Sequence, residues 1–161
     1  MRVEVAREVS APQQQVWDLL VDWERQAAWM VDARAVEVTS SVRRGTGVRL
    51  HVPTSVLGMT VEDVLEVTGW EEPRRLRVRH VGSVVSGEAA FELVATQRGT
   101  WIRWWEEVEV PLGKVGEFGA RLFVRPYLTW LFRRSLDNFA HLCAEKAASF
   151  PRAGEDTEGH H

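Results

Sequence analysis

The first 110 residues of the chain alternate between apolar and polar positions in short runs, a pattern typical of strands that bury one face. Short connections such as Arg44–Gly47 and Gln97–Gly99 separate these runs. Connections of this length suit hairpins, so neighbouring strands should run antiparallel. The pattern predicts seven strands, at residues 2–9, 34–40, 46–53, 58–69, 74–80, 85–96 and 100–110.

Two parts of the chain depart from this alternation and predict helices. A proline after the first strand suits a short helix over residues 13–20, and a second short helix follows at 22–28. From residue 112 to about 148 the apolar residues recur at steps of three and four, which predicts a long helix. Pro126 should kink or break it. The elements together predict an α+β protein.

Composition places the chain among ordinary globular proteins. Its 161 residues are 45% hydrophobic and 27% charged, which predicts one domain over residues 1–150 and a disordered polar tail at 151–161. The net charge of -3 leaves a nearly neutral body that would not attract nucleic acid. Cys143 has no disulfide partner, and no apolar run suits a signal peptide or a membrane span. We therefore expect a cytoplasmic protein without integral membrane association.

The predicted last strand carries three tryptophans and three glutamates, which alternation separates into two sets. Trp104 and Glu106 share the mostly apolar inner face, whereas Trp101 and Trp105 flank Arg103 on the outer face. The outer tryptophans can shield Arg103, and alternatively they mark a homodimer or partner surface. Glu106 is the anomaly, because a carboxylate on an apolar face needs a partner or water.

Small residues should face Glu106 across the hairpin that joins the last two strands. Alternation places Phe91 opposite Trp104 and Ala89 opposite Glu106, with Gly87 next along. A tightly filled core would use bulky side chains opposite a buried acid. The sequence therefore predicts an internal cavity at this position.

Three more ionisable residues fall on the inner face by the same alternation. Asp63 should lie opposite or diagonal to His80, and Arg7 could reach Glu106 if their strands are neighbours. Asp63, His80 and Glu106 are candidate catalytic residues, because proton transfer in a pocket needs an acid and a base. The alternative is structural, namely a satisfied polar pair and an ion pair between Arg7 and Glu106.

Other kinds of chemistry are not indicated by the sequence. His51 and His141 have no companion at metal-ligand spacing, and the final histidine pair is given no metal role. The glycines at 113, 116 and 119 do not match a phosphate-binding loop, and no G-x-S-x-G motif occurs. We therefore predict neither a metal nor a cofactor.

Several segments together resemble the SRPBCC superfamily, the START-like helix-grip proteins that include polyketide cyclases and lipid-transfer domains. The resemblance covers about residues 3–148 and rests on the pieces VSAPQQQVWDLLVDWERQAAWM, RGTGVRL, VTGWEEPRRLRVRHVG, FELVATQRGTWIRWWEEV and RRSLDNFAHL. It implies a curved antiparallel sheet of seven strands wrapped around the C-terminal helix, with a pocket for a hydrophobic molecule. It also implies that Trp29, Met30 and the 53–59 segment line the mouth. Membership does not name a reaction.

Three functions remain open at this point. The leading interpretation is a protein that binds a small hydrophobic molecule, with an aromatic or polycyclic one favoured, between the sheet and the last helix. The rival is a polyketide cyclase, aromatase or dehydratase that uses Asp63, His80 and Glu106 for proton transfer in the same cavity. A third is a protein-interaction module built on Trp101 and Trp105. The predicted ligand-contacting residues are Arg7, Trp29, Met30, Met59, Val61, Phe91, Trp104, Leu128, Phe132 and Leu136.

Overall fold

The computed structural model describes residues 1–56, 58–109 and 119–150. Seven strands form one antiparallel sheet in the order β1-β7-β6-β5-β4-β3-β2, so the first and last strands of the sequence are neighbours. The predicted α+β class is confirmed. The strands are β1 Arg2–Val9, β2 Glu37–Val38, β3 Arg49–Val56, β4 Met59–Glu71, β5 Arg75–Val81, β6 Ser86–Ala95 and β7 Thr100–Glu109.

The helices lie between β1 and β2 and after β7. Helix α1 spans Gln13–Leu20 as predicted, a 3-10 helix spans Trp23–Ala28, and the long helix α2 spans Arg125–Ser149. A π-helical turn, Ala120–Val124, leads into α2. Pro126 stands in the first turn of α2, where its missing N–H costs no hydrogen bond, so it begins the long helix. The predicted helical segment 112–118 and the tail 151–161 lie outside the described residues.

None of the helices within these described ranges is both long and apolar enough to cross a membrane. Helix α2 is long enough for a span, but it is amphipathic and carries charged residues along its length. Its buried side is the one that packs on the sheet. The buried residues of α2 are Leu131, Phe132, Ser135, Leu136, Phe139, Ala140 and Cys143.

The sheet edge formed by β2 is shorter than the sequence pattern predicts. Only Glu37 and Val38 pair with β3, whereas the prediction ran from 34 to 40. Ala33 forms a separate bridge to Thr54, near the far end of β3. The chain between these two contacts therefore leaves the ladder, and the segment just before Ala33 is attached to the end of β3.

A β-bulge in β4 determines which side chains reach the interior. The register shifts between Val67 and Gly69, so Trp70 pairs with Leu76 on one side of the bulge and Leu65 pairs with His80 on the other. If the register of Trp70 with Leu76 continued without this extra residue, Glu66 and not Leu65 would lie opposite His80. The bulge therefore brings His80 to the same face as Leu65.

Candidate functional site

Glu106 faces the interior, as alternation predicts. Ala89 is its cross-strand partner on β6, and Phe91 is the partner of Trp104. The side chain of Glu106 is only 16% exposed. A carboxyl group is therefore buried on the inner face of the sheet, opposite a methyl group.

Asp63 and His80 form a buried hydrogen-bonded pair. Since Leu65 is directly opposite His80, Asp63 is diagonal to it, which is one of the two predicted arrangements. His80 Nδ1 lies 2.8 Å from Asp63 Oδ2, and both residues are 8% exposed. Because a carboxylate accepts hydrogen bonds, this contact directs a proton on His80 Nδ1 toward Asp63 and leaves Nε2 on the far side of the ring.

His80 and Glu106 approach each other across the intervening strand. His80 is on β5 and Glu106 on β7, so β6 lies between them and the two backbones are about 10 Å apart. The residues of β6 beneath them are Gly87, opposite His80, and Ala89, opposite Glu106. These small residues leave room for Glu106 Oε2 to come within 3.8 Å of His80 Nε2. The space predicted beside Glu106 is thus where these two side chains meet.

A fourth ionisable residue, Asp32, lies on a loop near enough for its charge to act on Glu106 and Asp63, and the sequence patterns missed it. The loop is attached to β3, because Asp32 O accepts a hydrogen bond from Ser55 N at 2.8 Å and Arg34 N donates to Pro53 O at 2.9 Å. The charge of Asp32 contributes to the raised pKa of Glu106. Alternation cannot place a loop residue. The one feature of the sequence that could have indicated a role for Asp32 is its position two residues after Met30, which was predicted to line the mouth.

The surroundings of the cluster raise the pKa of three of its groups. Burial raises the pKa of Glu106 to about 7, because the charges of Asp32 and Asp63 add to desolvation and outweigh the attraction of His80. Burial likewise raises the pKa of Asp32, with a further contribution from Asp63. Burial alone would lower the pKa of His80, but the hydrogen bond to Asp63 and the two nearby carboxylate charges raise it.

The Glu106→Gln variant is expected to lose much of the pH dependence of stability between about pH 5 and pH 8. Raised pKa values of Glu106 and His80 mean that the folded protein holds protons that the unfolded chain releases, so wild-type stability falls as the pH rises through this window. The amide cannot ionise. At about pH 8 the variant should therefore be more stable than the wild type, by on the order of 2 kcal/mol, and this difference should shrink toward pH 5.

Urea unfolding at the two pH values measures this difference. Glu107→Gln is the matched control, because Glu107 is the next residue on β7 and its exposed side chain points to the outer face. The control should follow the wild-type profile. A constant difference between wild type and Glu106→Gln at both pH values would contradict the raised pKa of Glu106.

Several buried polar atoms at the site have no hydrogen-bond partner among the described residues. They include Asp63 Oδ1, His80 Nε2 and Trp104 Nε1. Trp104 is 1% exposed, and its indole approaches Glu106 without forming a hydrogen bond of normal geometry. Buried polar groups in folded proteins are nearly always paired, so these three atoms need an explanation.

The aromatic residues predicted to line a cavity form a closed stack in this structure. The ring of Trp104 lies 4.1 Å from Phe132 and 5.0 Å from Phe91, between centroids, with the planes nearly parallel. Trp29 meets Trp104 edge to face at 6.3 Å. No molecule fits between rings at these distances. These residues, with the buried Leu136, are part of the core.

The remaining predicted contact residues lie in different environments. Met30, Val61 and Leu128 are half-buried, and Met59 is 66% exposed at the start of β4, outside the enclosed interior. The predicted ion pair between Arg7 and Glu106 is wrong. The register of β1 with β7 places Val3, not Arg7, opposite Glu106, which separates the pair by about 13 Å along the strand. Arg7 Nη1 instead contacts Asp137 Oδ1 of α2 at 2.6 Å.

The outer tryptophans also differ from expectation. Arg2, and not Arg103, lies over the ring of Trp105, with its guanidinium carbon 4.4 Å from the ring centroid. Arg103 pairs instead with Glu4, at 3.2 Å from Nε to Oε1. Trp101 is 44% exposed. A homodimer or partner surface at these tryptophans stays a prediction.

The described part of the chain holds no group of three histidine, cysteine or acidic side chains arranged to bind a metal ion. The chemistry that the cluster's own side chains offer is hydrogen bonding and proton transfer. His80 can donate or accept at Nε2, Glu106 can hold or release a proton near neutral pH, and Asp63 orients the imidazole.

Comparison with protein families identifies the group to which this fold and site belong. The family model described as polyketide cyclase / dehydrase and lipid transport matches residues 1–144. The chain belongs to this family. The matched range includes every strand, both short helices and most of α2, so the resemblance to the SRPBCC superfamily is confirmed.

Solved structures similar to this family member share its fold at low sequence identity. A protein from Thermus thermophilus is 20% identical with a TM-score of 0.79, covering 93% of this chain and 100% of that one. A START superfamily protein from Mycobacterium smegmatis is 15% identical with a TM-score of 0.65, covering 91% and 97%. A conserved protein from Geobacillus kaustophilus is 16% identical with a TM-score of 0.73, covering 91% and 97%. Comparison with curated proteins finds no match. These likenesses establish the helix-grip fold, and they name no ligand.

Proposed function

We propose that this protein binds a small hydrophobic molecule between the sheet and α2, with a polar group of that molecule at Asp63, His80 and Glu106. The observation that carries the proposal is the set of unpaired polar atoms in a buried and otherwise apolar interior. Each such atom costs about 1–3 kcal/mol when it is left without a partner. A bound ligand that completes these hydrogen bonds would offset that cost.

The apolar part of the ligand would contact the half-buried apolar residues among those predicted to bind it. Met30, Val61 and Leu128 are half-buried and offer apolar surface, and Val61 lies two residues before Asp63 on the same face of β4. The edge of the Trp104 stack would form a rigid floor. A flat aromatic or polycyclic body suits such a floor better than a flexible chain, because it loses less conformational freedom on binding. The ligand pocket would then lie beside the aromatic core and not within it.

Titration calorimetry with naphthylmethanol, a flat neutral probe with one hydroxyl group, tests this proposal. We expect one binding site per chain and a loss of about tenfold in affinity for Asp63→Asn, the equivalent of one hydrogen bond. The matched control is Glu62→Gln, because Glu62 is the preceding residue and its exposed side chain pairs with His51 on the outer face. Equal affinities in both variants and the wild type would contradict binding at the cluster.

A proton-transfer enzyme is the second candidate, and one observation favours it. Glu106 has a pKa of about 7 and lies 3.8 Å from the imidazole of His80, so the pair holds both a base and an acid near neutral pH. A group with this pKa is well suited to general acid–base catalysis. Such chemistry would agree with a cyclisation or dehydration of a polyketide-type substrate.

The same variants separate an enzyme from a binding protein. If the protein turns over a β-keto thioester, Glu106→Gln should lower the rate by about a hundredfold or more while it changes substrate affinity little. A parallel loss of rate and affinity would favour a binding role for Glu106. Glu107→Gln again serves as the control, since its side chain lies on the opposite face of β7.

A further inference from the structure

The cluster contains more negative charge than its one imidazole can balance. Asp32, Asp63 and Glu106 contribute three carboxyl groups, and among the described residues His80 is the only cationic partner within ion-pairing distance of Asp63 or Glu106. Arg7, the arginine that the sequence pattern places on the inner face, lies about 13 Å from Glu106 along the strand and pairs with Asp137 on α2. With all groups ionised, three negative charges oppose one positive charge in a buried site.

The carboxyl oxygens of the cluster also lack hydrogen-bond donors. Asp63 Oδ1 is buried without a donor, and the two nitrogens near Glu106, namely His80 Nε2 at 3.8 Å and the Trp104 indole, form no hydrogen bond of normal geometry with it. The carboxyl oxygens of the cluster therefore have unfilled acceptor capacity. A protonated amine supplies up to three N–H donors and no acceptor, whereas a carboxylate supplies acceptors only.

The position of His80 does not reverse the preference of the cluster for a ligand that donates hydrogen bonds and carries positive charge. Its imidazole could attract an anion when protonated, but Asp63 already holds Nδ1 at 2.8 Å and Glu106 faces Nε2. An anionic ligand that approached Nε2 would also approach the carboxyl of Glu106. At the low effective dielectric of a buried site, like charges at such distances repel by several kcal/mol.

We propose that the ligand presents a protonated amine to Asp63 and Glu106, with the charge of Asp32 adding to the attraction, and that carboxylate ligands such as fatty acids are rejected. This inference rests on the binding function proposed above. The amine would supply the positive charge and the donors that the described residues lack, and the aromatic floor would hold the apolar body. It narrows the ligand class from hydrophobic molecules in general to hydrophobic amines.

Proton release should accompany binding of an amine. The charged groups that act on Glu106 are His80 on β5, Asp63 on β4 and Asp32 on the loop. A pKa of about 7 leaves Glu106 partly protonated at neutral pH. A cation bound beside it stabilises the ionised form and displaces the proton. Amine affinity should therefore rise as the pH increases through 7, while carboxylate affinity should fall.

Three naphthalene probes with the same ring system test the proposal on the full chain. Naphthylmethylamine, naphthylmethanol and naphthoate carry a cation, a neutral donor and an anion, and calorimetry in buffers of different ionisation enthalpy counts the protons exchanged. We expect the amine to bind about tenfold or more tightly than the alcohol, with naphthoate weakest and protons released on amine binding. Asp32→Asn and Glu106→Gln should bring the amine and alcohol to nearly equal affinity, and Glu107→Gln should preserve the preference.

Each outcome bears on a different claim. Equal affinity for amine and alcohol in the wild type, or tightest binding of naphthoate, would overturn the amine preference and leave the binding function standing. If none of the three probes binds to folded protein, the binding function itself fails. Asp32→Asn provides a second variant in a loop outside the sheet, so a Glu106 variant that does not fold would not prevent the test.

Discussion

Replacing Gly87 with alanine is expected to lower the free energy of unfolding by about 3–5 kcal/mol. Gly87 has a φ of +138°, a conformation that a side chain disfavours. An added Cβ would overlap the carbonyl oxygen of Glu107 and lie 3.0 Å from Val108 Cα on the paired strand. The backbone of β7 cannot retreat without breaking its hydrogen bonds to β6. Urea unfolding measures the loss.

Gly45→Ala separates the two causes of this loss. Gly45 has a φ of +90°, and an added Cβ there would meet no atom within 4 Å. That variant should therefore cost only the conformational strain, about 1–2 kcal/mol. If both variants lost the same stability, the close approach of β6 to β7 would be contradicted. The result also concerns the site, because Gly87 is the residue of β6 directly opposite His80.

Trp104→Ala is expected to cost about 3–5 kcal/mol, as is usual when a large buried aromatic residue is truncated. Trp104 is stacked between Phe91 and Phe132 and contacts the edge of Trp29, so its removal leaves a large void in the centre of the core. Since α2 meets the sheet through the Phe132 ring, the loss should appear in both thermal and urea unfolding. Trp101→Ala, on the outer face and 44% exposed, should cost less than about 1 kcal/mol.

Indole should partly restore the stability of the Trp104→Ala variant. The void would be lined by the same aromatic rings that now enclose Trp104, and apolar cavities of this kind bind molecules that resemble the missing side chain. Ligand binding to the folded state raises the melting temperature with ligand concentration. A loss below about 1 kcal/mol, or no response to indole, would mean that Trp104 does not anchor the core.

Much of the candidate site could be predicted from the sequence, because strand alternation is a local property of the backbone. The short turn between β6 and β7 sets their register, which is enough to place Ala89 opposite Glu106. The same alternation placed Asp63 and His80 on one face. Their contact also depends on the bulge between Val67 and Gly69, which the pattern of apolar residues did not predict.

Other contacts depend on how distant parts of the chain dock. Asp32 joins the cluster because the bridge between Ala33 and Thr54 attaches its loop to β3. Arg7 contacts Asp137 because α2 crosses the sheet beside β1. Neither contact can be predicted from the periodicity of the sequence, because loops and docked helices have no fixed spacing relative to a strand.

The elements, their faces and three of the four site residues thus follow from the order of apolar and polar side chains, since a strand repeats every two residues wherever it lies. The tertiary structure decides the other features, through strand order, the bulge and the docking of the loop and α2. These features are the closed stack of Trp104 on Phe132, the approach of Glu106 to His80 over β6 and the position of Asp32. These features join residues far apart in sequence, and their positions are set by packing, not by local geometry.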